Sequence, residues 1–382
     1  MTAFQFIIID GILGTGINGK LRENIKRAIE VINTSNGLTI SVDVPSGLDP
    51  LTGQIHDVAV KPQYTVSFHK VKTGIHKAGE EKVGGIVTCD IGIPIEAEYF
   101  INYGDMIKLN KRSLKSHKGN NGKVLIVGGS KEYSGAPSIA GLAAIGAGAD
   151  LVYVAAPESA ALAISTHPDL IVNSLKGDYL TTEHAGEILE IAEKVDAVLL
   201  GPGAGINNET GKLLNILASK IKKPLVLDAD ALKQVKPQII KNRDDVILTP
   251  HIFEFKSFFG KDIKLDLDSY DFAEVDENIS EFQQVVRQIN GAVVVKGAID
   301  LVIQKNKFKL NKSGNPGMTV GGTGDALAGI ATSLLSKGLN AFDAATLAIF
   351  INGLAGDEAY LEKGYGFGAT DVVAHIGKVI KG

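Results

Sequence analysis

The chain has 382 residues, which suits one large domain or two smaller ones. Its 39 basic and 43 acidic residues leave a formal charge of −4, which gives no electrostatic case for nucleic acid or an anionic membrane surface. A single cysteine, Cys89, excludes an internal disulfide framework and a cysteine-built zinc site, and the eight histidines show no ligand spacing. No apolar run approaches the roughly 18 residues of a membrane span, and no basic leader follows Met1, so a soluble cytoplasmic protein is expected. Glycine is abundant, at 44 residues against an average of about 7%.

Residues 4–10 (FQFIIID) read as a short strand buried on both faces. A glycine-bearing turn follows, and then Leu21, Ile25, Ala28, Ile29 and Ile32 recur at helical spacing. Residues 38–44 (LTISVDV) read as the next strand, closed by Pro45-Ser46-Gly47, which makes a parallel βαβ unit. Further strands are expected at 63–68 and 84–91, and 105–122 is the best connector. A second block opens with VLIVGG at 124–129, followed by a small-residue helix from Ala136 to Gly148 suited to packing closely on a sheet. Strands are then expected at 151–156, 197–203, 224–230, 245–251, 291–297 and 300–304, alternating with helical text, so a largely parallel α/β sheet is predicted. Residues 261–281 are acidic and poorly periodic and read as a solvated excursion.

The sharpest signal is Asn315-Pro316-Gly317-Met318-Thr319-Val320-Gly321-Gly322-Thr323-Gly324-Asp325, followed at once by an apolar helix. Glycines let backbone N–H groups crowd around an anion, and a helix N-terminus adds about half a positive charge. In the first turn, Asp325 either accepts a proton from a hydroxyl attacking phosphorus or merely caps the helix. Lys296-Gly297 closes one strand and Thr249-Pro250-His251 another, at the edge where open α/β sheets bind ligands. The loop Gly201–Gly205 offers backbone N–H groups or is a plain tight turn. Asp228 and Asp230 either serve a metal–phosphate complex or cap a turn. In the first block Asp10, the Gly14–Lys20 loop, Asp43 and Ser46 fall at strand C-termini and suit a cation beside a ligand phosphate, or a generic Rossmann-like fragment.

SHKGNNGKVLIVGGS, YSGAP, GPGAG, TPH, VVVKG and GNPGMTVGGTGD together resemble the NAD(P)H-hydrate dehydratases of the ribokinase-like superfamily. DGILGTG, VDVPSGLD and VTCDIGIP resemble the NAD(P)H-hydrate epimerases often fused ahead of them. The resemblance implies a ribokinase-like dehydratase domain at 113–382 preceded by a partial Rossmann-like epimerase domain at 1–104. It implies ADP-dependent dehydration of the S hydrate of NADH or NADPH, with ATP as the eukaryotic alternative, and Mg²⁺ with the nucleotide. The ring hydroxyl is expected to be phosphorylated, because phosphate leaves more readily than hydroxide. Carried over residue by residue, Asp325 matches the base and a substrate contact, Gly324 a nucleotide contact, and Lys296, Gly297, Ala298, Ile299 and Asp300 the AMP-lining stretch. Pro137, Gly203 and His251 match substrate contacts. In the epimerase part Asp10 and Ser46 match K⁺ ligands, and Gly14, Thr15, Gly16, Ile17, Asn18, Gly19, Lys20 and Asp43 match substrate contacts. A homo-oligomer is expected.

Two departures accompany the resemblance. The usual TPHPGE is TPHIFEF here, keeping Glu254 but losing the Pro-Gly turn, so the loop geometry is expected to differ. Epimerase domains also begin with further strands and an Asn-Gly-Gly-Asp loop. About 95 residues with one clear crossover helix are not expected to cover both faces of a parallel sheet. The dehydratase is therefore expected to be active and the epimerase part impaired or dependent on a partner. An ordinary ribokinase-superfamily kinase of a small alcohol and a nucleotide-binding regulator without turnover are the alternatives.

Overall fold

A computed structural model of the chain describes residues 6–14, 20–94, 96–109, 112–261 and 272–381. The chain divides into two compact units, Met1–Ile95 and Glu96–Gly382. In the first unit, β1 (Ile7–Asp10), β2 (Leu38–Val42), β3 (Tyr64–Phe68) and β4 (Gly85–Cys89) form a parallel sheet in the order β1-β2-β3-β4. Helix α1 (Glu23–Thr34) makes the β1–β2 crossover and buries Ile29. The expectation that residues 4–10 are covered on both faces is not met: β1 is an edge strand, and Ile7 and Ile9 are each 62% exposed. In β2 and β3 burial alternates along the strand, as for a sheet packed on one face.

The second unit holds β5 (Lys123–Val127), β6 (Leu151–Pro157), β7 (Leu170–Leu175), β8 (Ala197–Leu200), β9 (Leu225–Leu227), β10 (Val246–Leu248), β11 (Ala292–Val295), β12 (Asp300–Gln304) and β13 (Lys307–Asn311). Their order is β13-β12-β11-β10-β9-β8-β5-β6-β7. All pairs are parallel except β11–β12 and β12–β13, which are antiparallel. Strands β8 to β11 are buried throughout, which explains their unbroken Val/Leu/Ile text. The chain runs outward from β5 through β6 to β7, then returns to β8 and runs outward the other way. That reversal places a crevice at the C-terminal ends of β5 and β8.

The helices that bear on the site are α2 (Gly135–Gly146), α3 (Ile252–Phe259), α4 (Phe272–Val286), α5 (Thr323–Ser336), α6 (Ala341–Lys363) and α7 (Ala369–Lys381). The small residues of α2 serve chiefly to approach another helix. A Cβ at Gly329 of α5 would lie 2.0 Å from the Ala140 carbonyl oxygen. Helix α4 replaces much of the excursion expected at 261–281. The stretch expected as a connector packs on the second unit, where Met106 and Leu109 lie against its core. Among the described residues no helix is long and apolar enough to cross a membrane.

Candidate active site

The first turn of α5 is the centre of the site. Its N-cap, Gly322, has φ +98°, and a Cβ there would meet Ile139 Cδ1 at 2.7 Å and Ala369 Cβ at 2.8 Å, so conformation and space both demand glycine. No side chain caps this helix, which leaves its first N–H groups for an anion. Asp325 has no hydrogen bond or ion pair among the described residues, so the capping reading fails. Burial first, and then the charges of Asp228 and Asp230, push its carboxyl up to about 7, against the opposing pull of Lys296. A carboxylate poised there is suited to general-base work near neutral pH.

Lys296, at the end of β11, reaches the same turn. Its ammonium lies 3.5 Å from Asp228 Oδ1, and a Cβ at Gly324 would come within 3.3 Å of it. The spare room at Gly324 is thus filled by a cation beside the helix N-terminus. Asp228 Oδ1 also accepts a hydrogen bond from the Thr249 hydroxyl at 2.8 Å. Asp230 Oδ2 accepts the Gly205 amide at 2.9 Å, and Lys233 lies 3.2 Å from its other oxygen. Between the two carboxylates Ala229 adopts φ +50°, strained for an L-residue and typical of functional turns. Among the described residues no three His, Cys, Asp or Glu side chains are grouped to hold a metal.

Beside this turn lies a cavity of about 480 Å³, lined by Lys296, Gly297, Ala298, Asp300 and Gly324 among others. Ile299 instead packs against the core beneath β11. Asp300 holds the loop: its Oδ1 accepts the Gly297 amide at 3.0 Å and its Oδ2 accepts Asn311 Nδ2 at 2.9 Å, while burial raises it to about 6. The other wall, the 313–319 loop, is held by Asp357 of α6, which sequence reasoning missed. Asp357 Oδ2 accepts the Gly314 amide at 2.9 Å and Oδ1 accepts Asn315 Nδ2 at 3.0 Å. Gly353 and Gly356 let α6 approach this loop, since a Cβ at each would meet Ser313 Oγ at 2.2 Å and Met318 Sδ at 2.0 Å. The run Asn352-Gly353-Leu354-Ala355-Gly356-Asp357 was the available signal.

Pro137, Gly203 and His251 stand on the same C-terminal edge. Pro137 is buried in the first turn of α2. Gly203, at φ +60°, lies against Tyr133 and Ala136, so its loop closes onto the start of α2. That loop offers fewer free N–H groups than expected, because the amides of Gly201, Ala204 and Gly205 bond to Val127, Gly201 and Asp230. His251 caps α3: Nδ1 accepts the amides of Phe253 and Glu254, and Glu254 Oε2 accepts the His251 amide at 3.1 Å. This reciprocal pair explains why Glu254 survives without the Pro-Gly turn. The ring remains half-exposed, with Nε2 3.5 Å from Glu254 Oε1.

In the first unit, Asp10 is fully buried, and its Oδ2 accepts the Ser41 hydroxyl at 2.7 Å and the Ser46 amide at 2.9 Å. Ser46 Oγ accepts the Leu13 amide at 2.9 Å. Asp10 and Ser46 are therefore brought together. Asp43, at φ +66°, accepts the Phe68 amide at 2.9 Å and pairs with Lys72. Gly14 and Lys20 are exposed, and Thr15, Gly16, Ile17, Asn18 and Gly19 lie outside the described residues.

A family model described as NAD(P)H-hydrate dehydratase matches residues 124–378, and one described as the YjeF-related protein N-terminus matches residues 2–74. The chain belongs to the NAD(P)H-hydrate dehydratase family. It is 48% identical over 378 residues to the bifunctional NAD(P)H-hydrate repair enzyme Nnr of Methanothermobacter thermautotrophicus, covering 98% of this chain and 72% of that protein. It is 41% identical to the Nnr of Pyrobaculum aerophilum, covering 98% and 74%. Among solved structures it resembles SMU.573 from Streptococcus mutans, with a TM-score of 0.62 and 24% identity over 74% of this chain and 98% of that one. It also resembles an ADP/ATP-dependent NAD(P)H-hydrate dehydratase from Bacillus subtilis co-crystallized with ATP/Mg²⁺, with a TM-score of 0.58 and 22% identity over 76% and 99%. At those identities the solved structures show the dehydratase fold, and the family follows from the sequence matches.

Proposed function

We propose that this protein repairs hydrated NADH and NADPH. The domain at 113–382 dehydrates the S hydrate with ADP, yielding NAD(P)H, AMP and phosphate. The observation that carries this reading is the half-buried Asp325 carboxylate, raised to about 7, in the first turn of an uncapped helix beside Lys296 and a cavity of about 480 Å³. The cavity is of ligand size and takes the AMP portion against Lys296–Asp300. The terminal phosphoryl group then meets the α5 amides and the Lys296 ammonium. Pro137, Gly203 and His251 contact the hydrated dinucleotide on the crevice side. Asp325 takes the proton of the ring hydroxyl as its oxygen attacks the β-phosphorus, and AMP leaves. The C–O bond of the phosphorylated ring then breaks, phosphate departs, and loss of the adjacent ring proton restores the double bond. Asp228 and Asp230 are the carboxylates that would hold Mg²⁺ together with phosphate oxygens, which suits an ion that takes one or two carboxylates and substrate phosphates. That ion would neutralise charge on the transferred group.

Residues 1–104 are read as the epimerase-related part. Asp10 and Ser46 supply two oxygen donors for K⁺, and Asp43 faces the substrate. Two side chains make a sparse set for an ion that needs several oxygens, so this polypeptide is expected to epimerise the R hydrate poorly. A cytoplasmic homo-oligomer completes the reading. The decisive experiment supplies purified S hydrate with Mg²⁺, with and without ADP, and follows reduced-nicotinamide absorbance together with AMP and phosphate. Stoichiometric release is expected, and recovery that proceeds equally without nucleotide overturns the reading. With pure R hydrate and K⁺, recovery should not exceed spontaneous epimerisation.

A further inference from the structure

A second cavity, of about 430 Å³, lies at the far end of α5. Its lining includes Arg112, Lys115, Lys337, Ser116, Asn120 and Asn121. Lys337 directly follows α5, whose first turn carries Asp325. Fourteen helical residues put about 20 Å between the two ends. Lys123 opens β5 nearby and Asp150 immediately precedes β6, so the cavity sits at the N-terminal edge of the sheet, opposite the catalytic edge.

We propose that this cavity is a separate binding site for an anion of the phosphate class. Arg112, Lys115 and Lys337 converge on it with two neutral donor side chains, Ser113 and Asn120, while Ser116 and Asn121, which also line it, are bonded to each other and to Asp150. The stretch that supplies Arg112 and Lys115 is basic in sequence: residues 108–123 carry six Lys or Arg and no Asp or Glu, in a chain whose net charge is −4. The neighbouring carboxylate, Asp150, is already engaged. Its Oδ2 accepts the amides of Gly119 at 2.9 Å and Asn121 at 3.0 Å, and its Oδ1 lies 3.2 Å from Arg112.

A simpler account is that the cations only satisfy the C-terminus of α2. Arg112 does donate to the Gly148 carbonyl at 2.7 Å, and Lys337 donates to the Ala147 carbonyl. Two cations crowd one turn there: a Cβ at Gly148 would lie 2.8 Å from Lys337 Nζ and 3.7 Å from an Arg112 nitrogen. Capping leaves Lys115 unexplained, since its ammonium pairs with no described group. It also leaves the balance unfavourable. Burial, and then the charge of Arg112, push Lys337 down to about 8 despite Asp150. A bound anion would relieve that excess, and the Ser113 hydroxyl and Asn120 side-chain amide suit phosphate oxygens.

The test is a titration of the ¹⁵N-labelled full chain with inorganic phosphate, pyrophosphate or ADP, reading the backbone amides of Ser113, Ser116 and Asn120. Saturable shifts are expected, weakened about tenfold or more in Lys115→Gln and in Lys337→Gln, the loss that follows from one charged hydrogen bond. Both variants should keep kcat and KM for ADP in phosphate-free buffer, because neither residue reaches the catalytic edge. Shifts with phosphate or pyrophosphate alone assign the ligand as a free anion, and equal shifts with ADP assign a nucleotide phosphate. Lys115→Gln removes charge without removing a described contact, so it remains informative even if Lys337→Gln unfolds. No saturable shift with any of the three, or undiminished binding in Lys115→Gln, overturns the proposal.

Discussion

Asp325 does two things that pull in opposite directions. Its carboxyl titrates at about 7, against 3.8 for an ordinary aspartate, chiefly because it is buried. A raised carboxyl pKa means that the fold prefers the protonated form. The stability it contributes is complete below about pH 4 and is lost as pH rises through about 7. At about pH 8 the ionised group therefore costs the fold, with an upper bound of about 4 kcal/mol for a shift of some three units. The general-base role proposed for Asp325 uses that same ionised form, so turnover should rise with pH through about 7. Asp325→Asn should lose roughly 10²-fold or more of turnover while retaining nucleotide affinity. It should also melt higher than the native protein, with a larger gain at about pH 8 than at about pH 5. Near-native turnover in the variant would remove Asp325 from the chemistry. At this scale the sequence was informative, because a glycine run ending in Gly-Asp before an apolar helix has few other uses. His251 was less legible. Its role as the cap of α3 depends on Glu254 folding back to the His251 amide, which follows from the local helix start and not from position on the sheet edge.

Among the elements, α5 and α6 build the site. Gly329 lets α5 touch α2, where a Cβ would stand 2.0 Å from the Ala140 carbonyl. Alanine normally improves a helix by about 1 kcal/mol over glycine, but overpacking costs typically 1–3 kcal/mol. Backbone cannot move aside as a flexible side chain can, so the clash should win. Gly329→Ala is expected to destabilise the second unit, as read by loss of dehydratase activity at lower denaturant. Asp357 acts on the wall of the cavity proposed for the nucleotide, through the Gly314 amide and the Asn315 side chain. Asp357→Asn keeps an acceptor for one of these and loses charge assistance, so KM for ADP should rise severalfold with kcat little changed, whereas Asp357→Ala should raise it further. A fall in kcat with unchanged KM would show that the loop is held by other means. Most strands could be read from their apolar text, but β7 and β13 could not. β7 is half-exposed, and β13 alternates Lys with apolar residues across a two-residue turn at Lys305–Asn306, with Lys305 at φ +52°. The order of the sheet was not legible either, since a return from β7 to β8 leaves no mark on either strand.

At the scale of the whole chain, the two units differ greatly in core. Among the described residues the first has one small cluster, Val44, Leu48, Ile75 and Val83, whereas the second has two clusters that flank a nine-stranded sheet. The sequence suggested this imbalance, because one amphipathic helix cannot cover a four-stranded parallel sheet. The structure adds where it falls: most on β1, whose Ile7 and Ile9 are exposed, and also on the opposite edge strand β4, where Val87 is exposed. Stability follows buried apolar area, and small units bury a smaller share of their surface. The first unit should therefore unfold at lower temperature than the second. Circular dichroism reports both units, whereas dehydratase activity reports only the catalytic edge of β5 to β11 and the start of α5. A first loss of ellipticity with dehydratase activity intact, then a second loss with activity, is the expected sequence. The exposed edge at β1 should make the intermediate prone to associate, so its population should fall at higher protein concentration as aggregates form. A single transition in which ellipticity and activity vanish together would mean that the small core is stabilised by something beyond its own few buried side chains.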